Sequence, residues 1–271
     1  MNFSTLDNIK KTKPLVHSLT NYVTSNDCAN ILYAIGAKPV MADCILDIKE
    51  ITPKCDALYI NLGTLNKDKI KAINKAVKIA NKNDIPVCLD PVGIGASSFR
   101  LKYANYLLKK NKVSVIKGNA TEIKAFYYGK KLGKGVDTHD KTTNENIYLF
   151  INLAKDFAKK TSAIIVITGE IDLISDGEKT YLIKNGHKMM ESITGSGCML
   201  GALLSAFLGA NKRDALSACA SGVCAMGLCG EKAFASMKEN DGNLSYRNYL
   251  IDEVFNLSQS DFTKGAKYEI R

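Results

Sequence analysis

Short apolar runs alternate with longer amphipathic stretches along most of this chain. Residues 15–20, 38–42, 57–62, 86–89, 113–116 and 163–168 are short and mostly apolar at consecutive positions. That is the pattern of strands covered on both faces. Between them the spacing changes to that of helices with one apolar face: 26–35, with Ser25 or Asn26 available as cap, then 67–83, 97–110, 120–128 and 144–160. Residues 130–143 are polar and glycine-bearing and read as a loop. Asp176-Gly177, flanked by 173–175 and 179–183, is a hairpin signal. Three helices, 197–209, 215–237 and 249–259, close the chain. Regular strand–helix alternation predicts an α/β fold, a mostly parallel sheet with helices on both faces, and residues 1–271 forming one domain. In such sheets ligands bind beyond the carboxyl ends of the strands.

Composition narrows the classes. With 271 residues and 46% hydrophobic positions, the chain fills a large core without staples. No stretch reaches the roughly 20 apolar residues a bilayer span needs; the longest, 198–210, reads as a buried helix. Residues 1–13 are polar and lysine-bearing, unlike a secretory signal. None of the eight cysteines forms a C-x-x-C pair, which fits a reducing cytoplasm. Cys219, Cys224 and Cys229 recur every five residues, about 500° of helical rotation per step, so they do not share a metal-binding face. Of the 37 basic residues behind the net charge of +10, only four are Arg. Lys67, Lys71, Lys75, Lys78 and Lys82 read as the solvated face of one helix, opposite Ile70, Ile73 and Val77. With no basic patch interleaved with aromatics, nucleic acid is disfavoured as a partner.

The chemistry concentrates in Thr194-Gly195-Ser196-Gly197-Cys198, at the head of the helix 197–209. Small residues there let the backbone approach a ligand. The first turn of a helix presents unpaired N–H groups and the positive end of its dipole, an anion site suited to phosphate. Cys198 sits on that turn, where a thiol ionises most easily. The plain alternative is a glycine turn leading into a core helix. Strand ends carry further groups: Asp90 before Pro91, Lys117-Gly118-Asn119 with Glu122 beyond, Thr168-Gly169-Glu170, Asn21 and Met41. Carboxylates from two strand ends suit Mg²⁺. Equally, Asp90 reads as a turn former, Asn119 and Glu122 have capping-box spacing, and Met41 reads as core. His17, His139 and His187 have no partner at triad or metal spacing. Neither G-x-G-x-x-G after the first strand nor a Walker A motif is present, which disfavours hydride transfer and P-loop chemistry.

Taken together, the pieces resemble hydroxyethylthiazole kinases, a branch of the ribokinase-like superfamily. The resemblance rests on 17–23 (His-Ser-Leu-Thr-Asn-Tyr-Val), 29–42, 61–65 (Asn-Leu-Gly-Thr-Leu), 89–96 (Leu-Asp-Pro-Val-Gly-Ile-Gly-Ala), 117–123 (Lys-Gly-Asn-Ala-Thr-Glu-Ile), Gly135-Val136-Asp137, 168–172 (Thr-Gly-Glu-Ile-Asp) and 194–201, in shared order and spacing. It implies a ribokinase-like three-layer αβα sandwich that phosphorylates 4-methyl-5-(2-hydroxyethyl)thiazole with ATP and Mg²⁺ in thiamine salvage. By the same resemblance Asp90 and Glu122 are the Mg²⁺ carboxylates, Lys117 and Thr168 ATP contacts, and Met41 and Gly195 thiazole contacts. Gly195, Ser196 and Gly197 line the anion hole, and Cys198 lies near the substrate hydroxyl as a poor base or an orienting group. Such kinases are similar in being homotrimers with sites between subunits, which would set Asn21, Val23 and Met41 facing the Cys198 of a neighbouring copy. One departure stands out: the family usually has Arg at position 117, and Lys keeps the charge without the bidentate fork. Two other readings fit the same residues, a related small-alcohol kinase of the hydroxymethylpyrimidine or pyridoxal type and a nucleotide-binding protein without turnover.

Overall fold

In the computed structural model, which describes residues 1–131 and 142–271, strands and helices alternate as the apolar pattern predicts. In chain order the elements are α1 Ser4–Thr12, β1 Leu15–Leu19, α2 Ser25–Ile35, β2 Lys38–Val40, α3 Ile48–Ile51, β3 Ala57–Asn61, α4 Lys67–Lys82, β4 Val87–Asp90, α5 Ser98–Lys110, β5 Val115–Asn119, α6 Ala120–Tyr128, α7 Ile147–Thr161 and β6 Ile164–Thr168. After them come β7 Asp172–Ser175, β8 Thr180–Ile183, α8 Ser196–Ala210, α9 Ala215–Ala235, α10 Asn243–Asn256, α11 Gln259–Gly265 and β9 Tyr268–Ile270. Most of the 130–143 loop and the Gly135-Val136-Asp137 segment lie outside the described residues.

The described strands form one sheet in the order β2-β1-β3-β4-β5-β6-β7-β8-β9. The pairs from β2 through to β6 are parallel; β7, β8 and β9 add an antiparallel edge around the Asp176-Gly177 hairpin. Helices cover both faces. On one side Leu58, Ile60, Leu89, Ile116, Ile165 and Ile167 pack with α3 to α7. On the other, Tyr59, Cys88, Val115 and Val166 pack with α1, α2, α8, α9, α10 and α11. No helix among the described residues is long and apolar enough to cross a membrane.

Local sequence sets several boundaries. The Asn66 side chain caps α4 by accepting from the amides of Asp68 and Lys69, and Ser97 caps α5. Gly36, with φ of 96°, ends α2 in the left-handed conformation. Neither expected cap holds at the start of α2: Ser25 is already helical, Thr24 is the capping position, and its side chain makes no capping bond. Five elements differ from the sequence pattern, the short helix α3 among them. The segment 1–13 contains α1, a helix too lysine-rich to stand out, which buries Thr5, Leu6 and Ile9. The expected helix 249–259 begins earlier, at Asn243, because Tyr246 is a core residue. The tail, unassigned by pattern, adds α11 and pairs β9 with β8.

Helix α8 packs against the sheet through Gly201. A Cβ built there falls 2.5 Å from the Tyr59 ring on β3. Because buried chains are packed at crystal density, one extra methyl at such a contact forces the helix away from the strand. Gly201→Ala should therefore lose about 1–3 kcal/mol of unfolding free energy, measured as a lower urea midpoint at unchanged slope.

Candidate active site

Strand period fixes which side chains meet. Tyr59 and Asn61 on β3 are two residues apart and share the α8 face, and Asn61 is in register with Asp90 on β4. One strand further, Lys117 of β5 is in register with Val166 of β6, which packs on that same face. Parallel strands end at one edge, so these groups converge beneath the first turn of α8.

Asp90 is fully buried. Its Oδ2 accepts from the Tyr59 hydroxyl at 2.9 Å, Asn61 Nδ2 at 3.2 Å and Lys117 Nζ at 3.3 Å, whereas Oδ1 has no partner. Lys117 Nζ also donates to the Gly197 carbonyl at 2.9 Å and so ties the sheet to α8. Burial pushes the Asp90 carboxyl up; Lys117, Tyr59 and Asn61 pull it back, and the balance stays above the ordinary carboxylate range. Burial opposes the Lys117 charge, but Asp90, then Cys198 and Glu122, outweigh it and hold the ammonium above its usual value.

Cys198 sits on the first turn of α8, its Sγ 3.3 Å from Asn21 Nδ2 and 3.2 Å from Asn61 Nδ2. Burial, then the Asp90 charge, push the thiol up, and Lys117 and the hydrogen bonds from Thr24 and Asn21 offset part of this. The ligand-free side chain is therefore a protonated thiol with donors already placed for a thiolate. Two glycines make this turn possible. Gly195 has φ of 90°, and a Cβ on it meets Thr24 Cγ2 at 2.5 Å; a Cβ on Gly197 lies 3.0 Å from Lys117 Nζ.

The other candidates are less uniformly placed. Thr168 ends β6 beside Asn119, with its hydroxyl donating to the Gly118 carbonyl. Asn21 reaches Cys198 of its own chain, a correction to the expectation that it faces the Cys198 of a neighbouring copy. Val23 is 59% exposed, and Met41 is half-buried against the α8-side core. Glu122 takes the capping geometry: Asn119 Oδ1 accepts from its amide, while its two oxygens accept from Gly93 N at 2.7 Å and Asn119 N at 3.0 Å. Burial, reinforced by Asp90, pushes its carboxyl up to about 7. His17 is structural, bonded to the Ala42 carbonyl and the Thr52 hydroxyl, and His187 stacks on Phe234; His139 lies outside the described residues.

As a magnesium site the donor set is lean. No group of three or more acidic, His or Cys ligands occurs among the described residues. Asp90 Oδ1, buried and unpartnered, is the one orphaned buried carboxylate oxygen among the described residues. Asp90 would hold such an ion together with water and phosphate oxygens, while both Glu122 oxygens already accept amide N–H groups. Three neighbours went unrecognised in the sequence: Tyr59, which donates to Asp90, Asn61, which joins Asp90 to Cys198, and Lys69, buried on α4.

Known proteins bear on this arrangement. The profile of the hydroxyethylthiazole kinase family matches residues 6–260. A hydroxyethylthiazole kinase of Clostridium acetobutylicum is 50% identical over 266 residues, 97% of each chain. Among solved structures, the hydroxyethylthiazole kinase of Pyrococcus horikoshii OT3 superimposes with a TM-score of 0.87 at 32% identity, covering 99% of this chain and 98% of that one. A ribokinase-like superfamily protein from Enterococcus faecalis V583 shares the fold alone, with a TM-score of 0.65, 14% identity and 96% of each chain covered.

Burial of Glu122 has a measurable consequence. Its carboxyl holds a proton to a higher pH in the folded chain than in the unfolded one. The folded state therefore binds more protons between the ordinary glutamate value of 4.5 and about 7, and stability falls as pH rises through that window. Urea unfolding of the ligand-free protein should show this decline, and Glu122→Gln should make it shallower whatever it does to absolute stability, the remainder coming from Asp172, whose carboxyl burial also pushes up to about 7.

Proposed function

This chain belongs to the hydroxyethylthiazole kinase family and phosphorylates hydroxyethylthiazole with ATP, in thiamine salvage; we propose that it does so at the first turn of α8, with Cys198 at the substrate hydroxyl. The observation that carries the assignment is the meeting of Cys198, Asn21 and Asn61 with the buried Lys117–Asp90 pair at one edge of the sheet.

Phosphoryl transfer has a loose transition state, so the protein acts by positioning and by charge. In this reading the amides of Gly195, Ser196 and Gly197 surround the γ-phosphoryl, where losing one preorganised donor costs about 3–4 kcal/mol. Lys117 and Thr168 take the ATP phosphates, and Met41, Asn21 and Val23 line the thiazole. The alcohol oxygen forms the new P–O bond as the bond to ADP breaks. Its proton passes to the Cys198 sulfur in the small fraction of molecules where the thiol is ionised, about 3% at pH 7 even for an unperturbed thiol and less here. Asp90 would hold Mg²⁺, which when bound would supply charge neutralisation of the phosphates. Glu122 supports the same corner by capping α6 and holding the Gly93 amide. Tyr22 and Val23, exposed beside Asn21, support a homotrimer in which a neighbouring copy covers the thiazole. The whole chain is read as one catalytic domain working in the cytoplasm.

ADP release from ATP and Mg²⁺ should be stimulated by hydroxyethylthiazole and not by hydroxymethylpyrimidine; stimulation by the pyrimidine alone, or by no alcohol, would overturn the substrate assignment. Cys198→Asp should keep or raise kcat, because a carboxylate is the better base, and Cys198→Ala should lower it by about 10²-fold. A fully active alanine variant removes Cys198 from proton transfer. Sedimentation equilibrium should return three times the chain mass.

A further inference from the structure

Lys69 is a lysine in an expensive place. It is only 8% exposed, and it lies in the first turn of α4, where the helix dipole disfavours a cation. Its ammonium donates to the main-chain carbonyl of Thr20, and the negative charge of Asp43, on the exposed loop after β2, acts on it through space. An ammonium held by a carbonyl rather than a carboxylate adds little to stability. What it holds is therefore the informative part.

Thr20 opens the turn between β1 and α2. The next residue, Asn21, donates its carboxamide N–H groups to Cys198 Sγ and to Asn61 Oδ1, and its own Oδ1 accepts from the Thr24 amide. The Tyr22 amide rests on the Thr64 hydroxyl, and Val23 follows. Thr24 in turn is the wall against which Gly195 closes. The turn is thus anchored from the β3–α4 side at Thr64 and Lys69, and it carries on its outer side the groups proposed to meet the alcohol.

We infer that Lys69 is a positioning residue for the alcohol substrate: its ammonium fixes the turn at residues 20–24 so that Asn21 stays on Cys198 and Val23 stays at the thiazole. The inference rests on the functional reading above. Lys69 touches neither substrate nor nucleotide; it acts through Thr20. The ATP side, at Lys117, Thr168 and residues 195–197, is held by other bonds and does not depend on it.

The test compares the full chain with Lys69→Met, Lys69→Gln and Lys69→Arg, using hydroxyethylthiazole and ATP. Lys69→Met should raise KM for the thiazole at least tenfold and leave KM for ATP within twofold. Lys69→Arg, which keeps charge and donors, should recover most of that loss, with Lys69→Gln between the two. Amide hydrogen exchange reads the same effect without turnover: residues 20–24 should exchange at least tenfold faster in Lys69→Met, with the body of α4 unchanged. An unchanged thiazole KM, equal rises for both substrates, an arginine variant as impaired as the methionine one, or loosening confined to α4 would overturn the inference. If Lys69→Met does not fold, the glutamine and arginine variants decide by the same criteria. Failure of the functional reading is separate, since the parent protein would then show no thiazole-stimulated ADP release.

Discussion

The organising constraint is the buried ion pair between Lys117 and Asp90. Neither partner has water to fall back on, and a buried charge left alone costs several kcal/mol, so the groups around the pair are arranged to satisfy all of it but Asp90 Oδ1. Tyr59 and Asn61 from the neighbouring strand complete the carboxylate on one oxygen, and the Gly197 carbonyl takes a second ammonium donor. Four elements are thereby held in one register: β3, β4, β5 and the head of α8. Two features elsewhere serve the same convergence. Gly201 lets α8 come down onto Tyr59, and Gly195 lets its first turn close against Thr24.

A lysine at position 117, where the resembling family usually has arginine, makes sense in this geometry. A guanidinium is a planar fork suited to bidentate partners, whereas an ammonium distributes three donors around a point. Here the two recorded acceptors, the Asp90 oxygen and the Gly197 carbonyl, belong to different layers of the fold. Two donors are spent on holding sheet to helix.

Most of the architecture was legible in the sequence, because strands buried on both faces must be apolar throughout and the helices between them must be amphipathic. Asp90, Lys117 and Cys198 could be picked out because each interrupts or follows such a run. Asn61 looked like an ordinary residue leaving a strand; only the register that sets it beside Asp90 reveals its bridging position. Glu122 was open between metal ligand and cap, and its two amide donors favour the cap. Lys69 was hidden among the lysines of α4. It is nonetheless two positions, about 200°, from Lys67, on the side of Ala72, Ile73 and Ala76, so helical phase alone separates it from the solvated row. Helix α1 and the end of the chain escaped because their apolar faces are narrow and gain their meaning only from packing on α8, α9 and β8.

The burial of Cys198 also bears on oxidative durability. Oxidants and alkylating agents attack thiolates that solvent can reach. In the resting chain this sulfur is buried among Asn21, Asn61 and Thr24, and burial and the Asp90 charge push the thiol up and disfavour the thiolate. Cys44, by contrast, is exposed on the loop after β2. The thiol proposed to serve the substrate alcohol is thus shielded from peroxide, and a surface thiol with no proposed part in turnover stands where damage arrives first.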